Sequence, residues 1–264
     1  MDKYKIIKHL GEGSYGTANL VETETGEQVV VKLINYDPNS YQYRDVNDEA
    51  RALKKLCNCL ELKDKECLEH LPCFIETFSE KISDDTINLY IVQSYVPGVN
   101  YEQFVEEIGY SFRNKPKDLT ILLLMSMLKL AKSIKYIHDR GITHNDLRDE
   151  NIIIRPSINK NKIEDVVLID FGLANLQDNP DFKAEDINRL GARFIHTYRV
   201  LNQPFDWNKY MPISFGNKEF EELVYAMRNS NSKSRPSIDV VIDKLQKILE
   251  DVIETGKGIM YKII

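Results

Sequence analysis

Long apolar runs are missing from this chain. The longest mainly apolar stretch, Ile121 to Leu128, is too short to cross a bilayer and reads as part of a buried helix. Charge of one sign is missing too: 41 acidic and 35 basic side chains are scattered along 264 residues, for a formal net charge of −6. No basic block favours nucleic acid or an anionic membrane, so a substrate must be recognised locally. Met1 to Lys5 is charged, and Lys8 and His9 interrupt the apolar pair Ile6-Ile7, so no secretory leader is expected and a soluble, reducing compartment follows. Neither an internal repeat nor a low-complexity linker is present. Cysteine is scarce, and Cys57, Cys59, Cys67 and Cys73 fall in one window with His70 among them. Their spacing fits no standard zinc finger or ribbon. Reduced structural cysteines are the expectation, and a zinc site among these five residues stays open.

The length allows one larger domain or two small lobes. Strands are predicted at Lys5–Lys8, Thr17–Val21 and Gln28–Ile34, separated by a Gly-rich turn and by Glu24-Thr25-Gly26. From Asp45 to Leu60, Val46, Ala50, Leu53, Cys57 and Leu60 recur at helical steps. A strand at Asn88–Val92 leads to Tyr95-Val96-Pro97-Gly98, a connector. Beyond it the pattern turns helical. Asp118 is placed to cap a long helix to His138 that ends at Gly141, short strands are predicted at Ile152–Ile154 and Val166–Ile169 around a polar turn at Ser157–Asn161, and further helices at Phe220–Arg228 and Ile238–Val252.

Two polar clusters stand out from these apolar surroundings. His144-Asn145-Asp146-Leu147-Arg148-Asp149-Glu150-Asn151 is followed, after an apolar run, by Asp170-Phe171-Gly172. Asp146, Arg148, Asn151 and Asp170 supply a base, a cation and two oxygen-bearing metal ligands, the set that phosphoryl transfer from a nucleotide requires. Gly11-Glu12-Gly13-Ser14-Tyr15-Gly16 lies between two strands, a context for a phosphate lid and not for a dinucleotide fold; alone it serves equally as an ordinary hairpin turn. Lys32 interrupts Val29-Val30-Val31 and Leu33-Ile34 with a charge that needs a partner if buried. Glu49 falls on the inward face of the helix from Asp45 and offers one. The alternative is a lysine snorkelling from an edge strand beside an unrelated glutamate.

Taken in order along the chain, these residues resemble the eukaryotic-type protein kinases. The likeness covers Gly11 to Gly16, Lys32, Glu49, the connector near Val96, His144 to Asn151, Asp170 to Gly172, Asp186 with Gly191, and Arg235-Pro236. It implies an α+β, two-lobed fold with a small β-rich N-lobe (1–95) carrying one main helix, and a mainly α-helical C-lobe (96–264), together a single kinase domain. It implies ATP and Mg2+ as cofactors and a protein substrate phosphorylated on serine or threonine. Asp146 would orient the hydroxyl and accept its proton, Arg148 would neutralise the moving phosphoryl group, and Lys32 held by Glu49 would grip the α- and β-phosphates. Asn151 and Asp170 would be the metal ligands. Leu10, Gly11, Gly13, Ser14, Gly16 and Ala18 would cover the nucleotide, Gln93 would guard the back of the adenine pocket, and Ser94 and Val96 would meet the base through their backbones. Phe171, His144 and Leu53 would be packed core linking the lobes.

The sequence leaves the family pattern in two places. Asn145 replaces the arginine that usually receives an activation-segment phosphate. Residues 173–185, between Gly172 and Asp186, contain no Ser, Thr or Tyr and no Ala-Pro-Glu motif follows. The expectation is therefore an enzyme independent of activation-loop phosphorylation, with much of the peptide platform gone. A small-molecule kinase and a nucleotide-binding pseudokinase acting through a partner are the alternatives, and an activating protein partner is compatible with any of them. The compartment would be the cytoplasm, or a host's cytoplasm for a viral or bacterial effector. Arg235 is left without the glutamate that the missing motif would supply.

Overall fold

The computed structural model describes residues 3–13, 16–39, 46–61, 66–156, 163–201 and 216–257. Five antiparallel strands open it: β1 (Tyr4–Gly13), β2 (Gly16–Thr23), β3 (Gln28–Tyr36), β4 (Phe74–Ser83) and β5 (Thr86–Ser94), in the order β1-β2-β3-β5-β4. Alternation along β3 sorts its side chains. Val29 and Val31 join Val21, Tyr90 and Val92 in a small core on one face, while Ile34 joins the main core from the other. Lys32 shares the parity of Val30 and Ile34, so it projects toward that second side.

Helix α1 (Asp48–Leu56) crosses this side with Asp48 and Glu49 in its first turn and Lys54 and Lys55 in its last, the polarity its dipole favours. It is shorter than the apolar periodicity predicted. The chain leaves the helix at Cys57, whose backbone is extended (φ −153°, ψ 94°), and Asn58 forms a parallel bridge with Phe74. That exit corrects the expectation of reduced cysteines. Cys57 is disulfide-bonded to Cys67 and Cys59 to Cys73, with Cα–Cα separations of 5.5 and 5.4 Å, and no free cysteine remains. Among the described residues no group of His, Cys, Asp or Glu is arranged to hold a metal ion. His70 is engaged elsewhere: Nδ1 lies 3.0 Å from Ser133 Oγ, and the ring packs 4.8 Å from that of Tyr136.

The remainder is helical around a short sheet of β6 (Val99–Asn100), β7 (Ile152–Pro156) and β8 (Ile163–Leu168). Asn100 and Gln103 form a capping box that starts α2 (Tyr101–Ser111). Helix α3 (Pro116–Asp139) begins at a proline, two residues before the expected cap; Asp118 falls inside its first turn. It carries Leu123, Leu124, Met127, Leu130, Ile134 and Ile137 into the core, and Gly141 takes the left-handed turn after it (φ 68°). Then come α4 (Pro180–Leu201), α5 (Lys218–Met227) and α6 (Ile238–Thr255), the last capped by Ser237 and closed by left-handed Gly256. A Cβ on Gly191 of α4 would come within 3.1 Å of Met227 Cβ, which is why α5 can lie so close. The expected turn at Ser157–Asn161 lies outside the described residues.

The fold is thus α+β and two-lobed, with one apolar cluster running from Leu53 and Leu56 of α1 through α3 to Phe171, Phe194 and Phe220. No described helix is long and apolar enough to cross a membrane. The polar residues singled out above gather where the first sheet meets the helical part.

Candidate active site

Lys32 reaches from β3 to two carboxylates at once. Its Nζ lies 2.6 Å from Glu49 Oε2 and 2.7 Å from Asp170 Oδ1, and its side chain is only 13% exposed. Burial works against the ammonium, but Glu49 and Asp170 outweigh it and its pKa is raised. Burial likewise opposes the charge of Asp170, while Lys32 and the Gly172 N–H hold its pKa below the usual carboxylate range. Complete burial pulls the Glu49 carboxyl upward, against the attraction of Lys32 and of the Phe171 backbone. The two partners of Lys32 come from opposite sides of the molecule. Asp170 adopts a left-handed backbone (φ 62°), uncommon for a residue with a Cβ and characteristic of sites where geometry is imposed by function.

The loop from His144 to Asn151 is pinned from below. Asp186 of α4, fully buried, accepts the backbone N–H of His144 (2.9 Å) and of Asn145 (2.8 Å) and lies 2.9 Å from His138 Nε2. Burial lowers the pKa of His144, so its ring is neutral: Nε2 donates to the Ile169 carbonyl (3.0 Å) and Nδ1 accepts the Asp146 N–H (3.3 Å). The ring packs 4.8 Å from that of Phe171, and His144, Phe171 and Leu53 are all fully buried. Asp146 Oδ2 accepts from Arg148 Nε (3.1 Å) and from the Asn151 amide (2.9 Å), which also donates to the Asp146 carbonyl. Oδ1 of Asp146 and the amide oxygen of Asn151 make no hydrogen bond among the described residues.

A cleft of about 720 Å3 lies against Lys32, Glu49, Asn151 and Asp170, whereas Asp146 is not among its lining residues. Leu10, Gly11, Gly16, Ala18, Lys32, Gln93, Ser94 and Val96 line it together with Arg148, Asn151 and Asp170. Gly13 pairs with Gly16 in the β1–β2 ladder, and Ser14 lies outside the described residues. The glycines have different reasons to be there. A Cβ on Gly16 (φ 123°) would overlap the Leu33 carbonyl, whereas a Cβ on Gly11 would meet nothing within 4 Å. The protein's own packing therefore leaves the space over Gly11 open. Ser94 gives its N–H to the Cys73 carbonyl and its Oγ accepts the Cys73 N–H, so Ser94 is left only its carbonyl for backbone contact with a bound base. An open cleft with a cation at its back, and amide and carboxylate oxygens beside it, fits a nucleotide carried with magnesium.

Three ties escaped the sequence reasoning. Asp149 is 5% exposed and bonded to Arg193 and His196 of α4, a pairing that only the helix's three-residue spacing could have signalled. Arg235 finds Glu185 Oε2 at 3.2 Å and the Ala184 carbonyl at 2.9 Å, so α4 replaces the glutamate of the missing motif. Residues 173–179 are held close: Thr143 and Asn175 exchange both backbone hydrogen bonds, at 3.1 and 3.0 Å, and the Asn145 amide donates to the Leu173 carbonyl (3.2 Å).

Comparison with known proteins agrees with this geometry. A family model described as protein kinase domain matches residues 4–188. Serine/threonine-protein kinase Nek5 of Homo sapiens is 25% identical over 92% of the chain and 36% of its own length. Serine/threonine-protein kinase D of Synechocystis is 30% identical over 65% of the chain and 30% of its own length. Calcium/calmodulin-dependent protein kinase type I of Schizosaccharomyces pombe is 25% identical over 68% of the chain and 47% of its own length. The chain spans less than half the length of each of these relatives.

Proposed function

This chain belongs to the protein kinase domain family, and on that premise we propose that it transfers a phosphoryl group from ATP, with magnesium, to a serine or threonine hydroxyl of a protein. The observation that carries the reading is Lys32 clamped between Glu49 and Asp170 at the back of the same cleft that Arg148 and Asn151 line. Lys32 grips the phosphates, and Asn151 and Asp170 offer the oxygens for magnesium, which when bound neutralises phosphate charge. Asp146 orients the acceptor hydroxyl and takes its proton on Oδ1; Arg148 and Asn151 hold Oδ2 in place. Arg148 is exposed at its tip and carries a fixed guanidinium fork toward the transferred group.

The reaction proceeds without activation-loop phosphorylation. The Thr143–Asn175 bridge and the Asn145 contact to Leu173 order the short segment with neutral hydrogen bonds and need no phosphate. One observation favours a second reading, a small-molecule acceptor: α4 starts at Pro180, so only residues 173–179 follow Gly172 where a peptide platform would lie. An activating partner protein is part of the same proposal, whereas the two disulfides do not fit the reducing cytoplasm expected from the sequence.

Incubating the pure chain with labelled ATP and magnesium, with generic protein substrates and separately with a metabolite extract, tests these readings against Asp146→Ala and Asp170→Ala controls. Label in protein is the expected result. Label confined to small molecules replaces the acceptor, and none above the controls, in buffer or in lysate, removes both enzyme readings in favour of a nucleotide-binding pseudokinase.

A further inference from the structure

Asp149 lies inside the catalytic loop, yet none of the roles above uses it. Its carboxylate is almost wholly buried, and a buried carboxylate needs partners. Both come from one face of α4: Arg193 Nη1 donates to Oδ2 at 2.7 Å, and His196 Nδ1 lies 3.0 Å from the same oxygen. Oδ1 is buried as well, with no hydrogen-bond partner among the described residues. A buried charge with one oxygen unsatisfied is a poor source of stability, since an apolar side chain of similar volume usually does as well or better. What this arrangement supplies is direction.

We propose that Asp149 is a positioning residue, tying the end of the catalytic loop to α4 so that Asn151 and Asp146 keep their relative geometry. Asp149 opens a single 3-10 turn, Asp149–Asn151, whose capping N–H from Ile152 donates to the Asp149 carbonyl. Asn151 N–H donates to the Arg148 carbonyl (3.0 Å), and the Asn151 carbonyl accepts the Ile169 N–H (2.9 Å), next to Asp170. A displacement of Asp149 therefore reaches Asn151 directly, Asp146 through the Asn151 amide, and Asp170 through Ile169. Asp186 holds the start of the loop from α4, and Asp149 holds its end onto α4 at positions seven and ten residues further along the same helix. The helical spacing keeps all three α4 residues toward the loop. Thr197, next to His196 on α4, donates its hydroxyl to that of buried Tyr101 of α2 at 3.3 Å.

The inference deepens the phosphotransfer reading and rests on it for its kinetic test, while a binding test stands apart from catalysis. Asp149→Asn keeps the shape and removes the charge. We expect kcat to fall about tenfold with KM for ATP within about twofold, because Lys32 and the connector are untouched. Arg193→Met should do the same, Arg193→Lys should recover most of the loss, and the double variant Asp149→Asn/Arg193→Met should lose no more than either single one, the mark of residues acting as a unit. Calorimetry of ADP with and without magnesium gives the second readout: the gain in affinity from magnesium should shrink in Asp149→Asn, while affinity without magnesium stays. Should Asp149→Asn fail to fold, Arg193→Lys and Arg193→Met carry both measurements. Additive losses, equal falls with and without magnesium, or unchanged kcat and magnesium gain would overturn the proposal. A wild-type chain that transfers nothing yet shows the magnesium gain and its loss in the variants defeats the enzyme reading and supports this one. A wild-type chain without any magnesium gain defeats both.

Discussion

Two sets of buried charges hold this site, and they are built in opposite ways. Around Lys32 one cation is shared by two carboxylates that come from different parts of the molecule, α1 and the segment after β8, and Asp170 keeps 29% of its side chain exposed to the cleft. Around α4 the carboxylates Asp186 and Asp149 are 0% and 5% exposed and are held by backbone N–H groups, histidines and an arginine within the helical part alone. The first arrangement is an open clamp whose geometry depends on how the sheet and the helices are placed. The second is a closed tie that sets the catalytic loop whatever the sheet does. Asp146 and Asn151 are thereby tied to the helical part, whereas Asp170 belongs to the clamp that spans sheet and helices.

Substitutions on the two sides should separate these roles. Asp170→Ala is expected to lower phosphotransfer by about a thousandfold or more, since metal binding and the Lys32 clamp go together, while the unfolding midpoint moves little. Equal loss of stability and activity in this variant would erase the distinction. Asp186→Ala should act the other way round. Removing it leaves the amides of His144 and Asn145 and the ring of His138 unpartnered in a dry core, a destabilisation of about 3–5 kcal/mol by urea unfolding. The cysteine pairs sharpen the comparison from the clamp side, because Cys57 ends α1 and Cys73 is hydrogen-bonded on both sides to Ser94. Alkylation should find no free thiol before reduction and four after, with a stability loss on reduction of about 2–4 kcal/mol. Four free thiols without reductant would contradict the pairing.

The smallest effect concerns pH. The hydrogen bond to Asp149 raises the pKa of His196 against the opposing pull of its partial burial. A raised folded value means the charged ring stabilises the fold fully below the unfolded histidine pKa, and that contribution disappears as pH rises through the folded one. His196→Gln should remove this part of the alkaline-side slope, and Asp149→Asn should return the His196 titration, followed by NMR, toward its ordinary value.

Much of this was readable from local patterns. Strand alternation put Lys32 on the face of Val30 and Ile34, and helical spacing put Glu49 and Leu53 on the inner side of α1, because both periodicities follow from backbone geometry alone. The order of short polar clusters carried the family. The end of α1 was not readable: the apolar steps continued to Leu60, but the chain turns extended at Cys57 to bridge to Phe74, a contact made by a strand still to come. Nor was the fate of the cysteines, since four of them allow several pairings and zinc as well.

Residue chemistry close in sequence was enough to point to a candidate base, a neighbouring cation, candidate metal ligands and a glycine turn suited to phosphate, and to reveal a segment that lacks hydroxyls to phosphorylate. Which charges meet was settled only by folding. Lys32 and Asp170 are 138 positions apart, Arg235 and Glu185 are 50, and Asp149 and Arg193 are 44. Burial makes a partner necessary for each of them without saying where along the chain it lies.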